Sequence, residues 1–232
     1  MSWRCFWKNI VKWKKYWRIE QSKNNRQIKM TDIIKDLVTE KTVNGIKIPK
    51  RPKIKQGAFQ IYTGEGKGKS TASLGLMLRA LGSGMHVYYV RMLKPRWKTG
   101  ELKLCPENFH PNLTFRNVPH YWALCVSKTI PEDVETMKEK MEPEMEDLHE
   151  QVKSGKYDLI IADEINYCIY RGLLSVEKAI QIVEDRPKNV ELVFTGRYAH
   201  EELIGRADLV TEMKKIKHHF DKGIRARIGI EF

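Results

Sequence analysis

Thr63-Gly64-Glu65-Gly66-Lys67-Gly68-Lys69-Ser70-Thr71 is the stretch that decides how this chain folds. It follows a strand-like run, Ala58 to Tyr62, and opens a segment, Ser70 to Leu81, that sets Leu74, Met77, Leu78 and Leu81 on one helical face. Gly82 and Gly84 then stop that helix. A glycine-rich turn between strand and helix lets successive backbone N–H groups converge on an anion, and the positive end of the helix points at the same place. Lys69 is positioned to neutralise the outer phosphates of a nucleoside triphosphate, and the Ser70 hydroxyl to ligate a Mg²⁺ ion bridging them. The residues expected to hold the nucleotide are Gly64, Glu65, Gly66, Lys67, Gly68, Lys69, Ser70 and Thr71. Counted back from Gly68 and Lys69, the first glycine of the usual pattern falls on Thr63, so the loop is one residue short. A shortened cradle suits an enzyme that presents a bond of the nucleotide other than the terminal phosphoryl bond.

Working outward, short β-rich runs alternate with helical stretches. Strands are expected at Ala58 to Tyr62, His86 to Met92, Leu113 to Val118, Leu159 to Ala162, Glu191 to Thr195 and Asp208 to Glu212. Besides the loop helix, Glu132 to Lys153 and Val176 to Asp185 read as helices. The first of these repeats Val134, Met137, Met141, Met145, Leu148 and Val152 at helical spacing, a core-facing stripe with Pro143 as a candidate kink. Strand-helix alternation requires crossovers onto a parallel sheet. The expected fold is therefore α/β, a RecA-like P-loop three-layer sandwich with a mainly parallel sheet of about six strands. The run Leu159 to Ala162 continues into Asp163 and Glu164, which puts two carboxylates at the carboxyl edge of a buried strand, where open parallel sheets bind ligands. Ser70, Glu164 and Asp163 are the candidate metal ligands, with Asp163 or Glu164 as a helix cap the competing reading.

Composition narrows the remaining classes. The net charge of +13 suggests nucleic acid until its location is read: residues 1–55 hold 16 of the 42 Lys and Arg and 4 of the 29 Asp and Glu, leaving 26 basic against 25 acidic residues elsewhere. The positive charge belongs to an extension, residues 1–55, and not to the folded domain expected over 56–232, so no nucleic-acid partner is expected. Trp3, Phe6, Trp7, Trp13 and Trp17 interleaved with lysines make residues 1–29 either an amphipathic helix for anionic lipid, or a disordered tail or a segment upstream of a start at Met30. Asp32 to Glu40 reads as a short helix and Pro49 to Gly57 as an extended linker. No apolar stretch approaches the roughly 20 residues that cross a bilayer, and the amino terminus lacks the continuous apolar centre of a secretory signal, so a cytoplasmic location is expected. Cys5, Cys105, Cys125 and Cys168 have no metal-ligand or redox spacing and read as reduced thiols.

Beyond the loop, an ordered set of segments resembles the P-loop ATP:corrinoid adenosyltransferases of the BtuR/CobO/CobP type. They are Gly64 to Thr71 with Gly75 and Arg79 to Gly84; Trp97 to Glu101; Asp163 to Tyr167; Arg186-Pro187; Thr195-Gly196-Arg197; Ala207 to Met213; and Lys217 to Ile224 with Gly229 to Phe232. The resemblance implies transfer of the 5′-deoxyadenosyl group of ATP to cobalt(I) of a corrinoid, releasing tripolyphosphate. Mg²⁺ or Mn²⁺ would be the cofactor, and a flavoprotein reductant and a homodimer are implied with it. Residue by residue, it implies catalytic roles for Lys69, Glu164 and Trp122, and nucleotide or corrinoid contacts for Arg79 and Arg197. Trp122 matches the family aromatic that helps strip the lower axial ligand of the corrinoid, but His120 stands where the family usually has Phe. Lys217, His218 and His219 look like a metal cluster, whereas the resemblance makes them a loop ordering the carboxyl-terminal tail. The rival enzyme reading is a small kinase or ATPase. A rival of another class is a binding module whose Trp-rich extension contacts nucleic acid or membrane.

Overall fold

Five-residue runs of β-branched and aromatic residues build the sheet. In the computed structural model, which describes residues 41–43, 45–93, 99–104, 110–118 and 131–231, the strands are β1 (Lys41–Val43), β2 (Ile46–Ile48), β3 (Phe59–Thr63), β4 (Val87–Arg91), β5 (Leu113–Asn117), β6 (Leu159–Asp163), β7 (Glu191–Thr195) and β8 (Leu209–Glu212). The helices are α1 (Lys69–Gly82), α2 (Gly100–Leu104), α3 (Pro131–Lys153), α4 (Ile165–Tyr170), α5 (Val176–Glu184) and α6 (Glu201–Arg206). The described residues belong to one compact unit, Lys41–Phe232. The expectations for residues 1–40, for His120 and Trp122, and for Cys105 and Cys125 lie outside the described residues. No helix among the described residues is long and apolar enough to cross a membrane.

The main sheet has six strands in the order β5-β4-β6-β7-β3-β8, and every pairing is parallel. This is the expected α/β architecture with all six expected strands in place. β4 and β6 are buried at each of their positions and read as apolar runs up to the charged residue that closes each, Arg91 and Asp163, as strands covered on both faces must. The two faces form two cores. Tyr88, Val90, Ile160, Ala162, Leu192 and Phe194 pack with Met137, Met141, Met145 and Leu148 of α3 on one side. Val87, Tyr89, Leu159, Ile161 and Val193 pack with Met77, Ala80 and Leu81 of α1 on the other. The methionine stripe is therefore core, and α3 runs on through Pro143.

Two features were not anticipated. β1 and β2 form an antiparallel hairpin with Val43 opposite Ile46. The chain after it, expected as a linker, is fastened to the sheet: Arg51 Nε donates to Asp158 Oδ2 at 2.8 Å, and the same oxygen accepts from His86 N at 2.9 Å. Gly84, at φ +80°, lies so close to this segment that a Cβ there would stand 2.4 Å from the Pro49 carbonyl oxygen. Gly84→Ala is expected to destabilise the domain by about 1–3 kcal/mol, from left-handed strain plus the clash. The thermal midpoint should fall by roughly 3–10 °C for a domain of this size, and an unchanged midpoint would mean that residue 49 does not pack there.

Candidate functional site

The phosphate loop sits where it does because of its neighbour, the chain leaving β8. Gly66 N donates to Met213 O at 2.6 Å, and Met213 N to Thr63 O at 2.8 Å. A Cβ at Gly66 would meet Met213 O at 2.5 Å, and one at Gly64 would meet it at 2.7 Å. These two glycines thus serve a close backbone approach, in addition to any anion. Gly68, at φ 127°, turns the chain into α1. No side chain caps α1 and its first turn holds no acid, so its positive end is left to an outside anion.

Lys69 is buried, and its Nζ donates to the carbonyls of Gly64 at 2.6 Å and Gly66 at 2.9 Å. Those bonds hold the ammonium at the mouth of the loop, with its stem packed out of water. Across the sheet edge, Thr195, fully buried, ties together the two carboxylate-bearing positions: its Oγ1 donates to Asp163 Oδ1 at 2.6 Å and accepts from Glu164 N at 3.0 Å. Glu164 has φ 68° and ψ 12° and caps α4 from the left-handed region, a conformation that costs a non-glycine residue on the order of 1 kcal/mol.

One cavity of about 610 Å³ gathers these groups, within the range of small-molecule sites. Glu65, Gly66, Lys67, Gly68, Lys69, Ser70 and Thr71 form one wall, with Glu164 and Arg197 beside them. Gly64 and Asp163 are not among the lining residues: Gly64 holds Lys69 through its carbonyl, and Asp163 is buried against Thr195. Arg79 is not brought to the cavity; it is exposed near the far end of α1. Ser70 and Glu164, which carry hard oxygen donors, line the same cavity, a set that suits Mg²⁺ when phosphate oxygens complete the shell. No group of three or more His, Cys, Asp or Glu suited to a metal occurs among the described residues, so His218 and His219 form no metal cluster there. Instead His218 Nδ1 accepts from Phe220 N at 3.2 Å, and the two imidazoles stack at 4.5 Å.

The opposite wall lies largely in segments that resembled the family but were not assigned to the nucleotide site. It comes from the carboxyl-terminal tail: His218, His219, Phe220, Arg225, Gly229, Ile230 and Glu231. Lys67 Nζ donates to Ile230 O at 2.8 Å and to Glu231 Oε1 at 2.9 Å, while Arg227 gives Glu231 its backbone N–H at 2.8 Å and its guanidinium at 3.1 Å. These bonds, Arg227 first and then Lys67, hold the Glu231 carboxyl well below its ordinary value of 4.5. A depressed carboxylate contributes to tail ordering fully above that ordinary value and loses the contribution as pH falls below it. The protection factors of the tail amides, measured against their intrinsic exchange rates at each pH, should therefore fall below about pH 4.5, and Glu231→Gln should show the low protection already at neutral pH. Equal rates in both proteins at pH 7 would show that the Lys67 contact does not secure the tail.

Arg91, Thr99 and Glu101 complete the floor. Thr99 and Glu101 lie in a segment that resembled the family. Arg91 fell inside the expected strand His86 to Met92 and was not singled out, though a charged residue late in such an apolar run was the available signal.

Comparison with known proteins gives a consistent picture. The family model "ATP:corrinoid adenosyltransferase BtuR/CobO/CobP" matches residues 55–232. A corrinoid adenosyltransferase from Sinorhizobium is 34% identical over 76% of this chain and 81% of its own length. Those of Escherichia coli K12 and Salmonella typhimurium are each 29% identical over 76% of this chain and 86% of theirs. Among solved structures, EssC (ATPases 2 and 3) from Geobacillus thermodenitrificans is similar at a TM-score of 0.40 and 14% identity, over 76% of this chain and 35% of that one.

Proposed function

From the premise that this chain belongs to the ATP:corrinoid adenosyltransferase family BtuR/CobO/CobP, we propose that its cavity places C5′ of ATP before cobalt(I) of a reduced corrinoid. The chain is an enzyme, a corrinoid adenosyltransferase, and its substrates are ATP and a corrinoid. Cobalt(I) supplies the electron pair of the new Co–C5′ bond. The C5′–O bond breaks, its pair leaves with tripolyphosphate, and cobalt ends as an alkylated cobalt(III). Cobalt(I) is itself the nucleophile, so the protein need only place the groups and stabilise the charge on the leaving triphosphate.

The observation that supports this reading best is the single cavity walled by the short phosphate loop, the open amino end of α1 and the cations Lys67, Lys69 and Arg197. Lys69 and the loop amides bind the polyphosphate, Lys67 closes over it from the tail side, and Ser70 with Glu164 would hold Mg²⁺. Bound there, Mg²⁺ would neutralise charge on the departing triphosphate. Asp163 acts through Thr195, which fixes the backbone that presents Glu164. The one-residue shortening fits a nucleotide laid in reverse of the usual P-loop direction, so that the sugar carbon faces the acceptor. Trp122 joins the set as a corrinoid contact, whereas Arg79, exposed away from the cavity, takes no part in it; a flavoprotein donor, a homodimer and a cytoplasmic site of action accompany the reading.

The purified full chain, ATP, Mg²⁺ and chemically reduced cobalamin should give, without air, a light-sensitive corrinoid spectrum at a rate set by enzyme concentration. A spectrum that never departs from the enzyme-free control would contradict the reading.

A further inference from the structure

Arg91 closes β4, the strand that pairs with β6 so that Arg91 stands opposite Asp163. It is 1% exposed, yet its side chain reaches the cavity floor. One edge of the guanidinium is held: Nη1 donates to Thr99 Oγ1 at 2.9 Å, and Nη2 stands 3.4 Å from Glu101 Oε1. Among the described residues Nε and Nη2 make no hydrogen bond, so Nε is left open and Nη2 has only its ion pair with Glu101. Burying such donors unused costs free energy, and a buried guanidinium edge of this kind is built to take a two-oxygen anion.

Strand alternation fixes which anion. Val87 and Tyr89 share Arg91's face of β4, and both pack on the α1 side of the sheet. Tyr89 Oη and Ser73 Oγ of α1 hydrogen-bond at 2.8 Å. Two residues further along β4 is a step of about 7 Å toward the carboxyl edge. Three residues back along α1, from Ser73 to Ser70, is a step of about 4.5 Å in the same direction. Arg91 is therefore carried to the level of the first turn of α1, where Lys69 and Ser70 line the same cavity.

We propose that Arg91 is a polyphosphate-binding residue of this enzyme, gripping the triphosphate of ATP from the β4 side while the loop and Lys69 grip it from the β3 side. Thr99 and Glu101 orient the guanidinium in the empty site and keep its free edge turned toward the nucleotide. This rests on the cavity being the nucleotide site. Arg91 also stabilises the released tripolyphosphate, and that gives the test a ligand without sugar, base or corrinoid.

Calorimetric binding of Mg²⁺-tripolyphosphate and of Mg²⁺-ATP to the full chain is compared for wild type, Arg91→Gln and Arg91→Lys. Loss of a charged fork should weaken both ligands about ten- to a hundredfold in Arg91→Gln, with partial recovery in Arg91→Lys, while the corrinoid KM at saturating ATP stays unchanged. Should Arg91→Gln fail to fold, Arg91→Lys alone decides: a several-fold weakening supports the role and an unchanged affinity overturns it. Wild-type affinity for both ligands in the variants, or a raised corrinoid KM with intact ATP binding, overturns it too. Tight tripolyphosphate binding by a wild type that adenosylates nothing would remove the proposed reaction and leave the Arg91 site standing.

Discussion

Lys69→Ala should lower kcat/KM for ATP by about 10²–10³-fold, the usual cost of removing one preorganised charge-stabilising donor from a leaving-group site. The ammonium is held at the loop mouth by the Gly64 and Gly66 carbonyls, so the wild-type site needs little rearrangement when phosphate arrives. Lys67→Ala should cost less, because Lys67 Nζ already belongs to the tail through Ile230 and Glu231 and is half-exposed. The ranking is the informative part. If steady-state kinetics showed Lys67→Ala to be the more damaged enzyme, the polyphosphate would lie over the tail rather than in the loop.

Glu164→Gly should separate stability from activity. Glycine relieves the left-handed strain at φ 68°, about 1–2 kcal/mol, against roughly 0.5–1 kcal/mol of added unfolded-state freedom, so the variant should be as stable as wild type or more so. Its activity should fall on the order of a hundredfold or more, because a metal-bearing carboxylate at the sheet edge accounts for several kcal/mol of transition-state charge stabilisation. Glu164→Gln, which keeps the strain, should lose comparable activity without gaining stability. A glycine variant with more than a tenth of wild-type activity would remove Glu164 from the charge machinery and leave its backbone conformation without a chemical reason.

The sheet was legible because its strands are short apolar runs bounded by turns, and because the loop fixes the first βα unit. Two of the missed helices, α4 and α6, span only six residues each, too few for a helical period to show. The β1-β2 hairpin did leave a signal, Asn44-Gly45 between Val43 and Ile46, and it was obscured by the basic residues around it. At the site, the loop and the acidic strand end declared themselves through spacing. Arg91 and Glu231 did not, since each matters through what lies beside it in space: Arg91 on the α1 side of β4, level with the first turn of that helix, and Glu231 about 160 residues downstream of Lys67. The loop glycines are a mixed case. Their spacing pointed to an anion, but the closeness of Met213 shows that Gly64 and Gly66 are also required by the chain leaving β8.

The most direct measurement is the phosphorus product. With ATP, Mg²⁺ and reduced corrinoid, ³¹P spectra should show tripolyphosphate accumulating in equal amount to the alkylated corrinoid, with no ADP. ADP with inorganic phosphate, formed in step with turnover, would mean that the loop offers the terminal phosphorus and that the sugar carbon is not the site of attack.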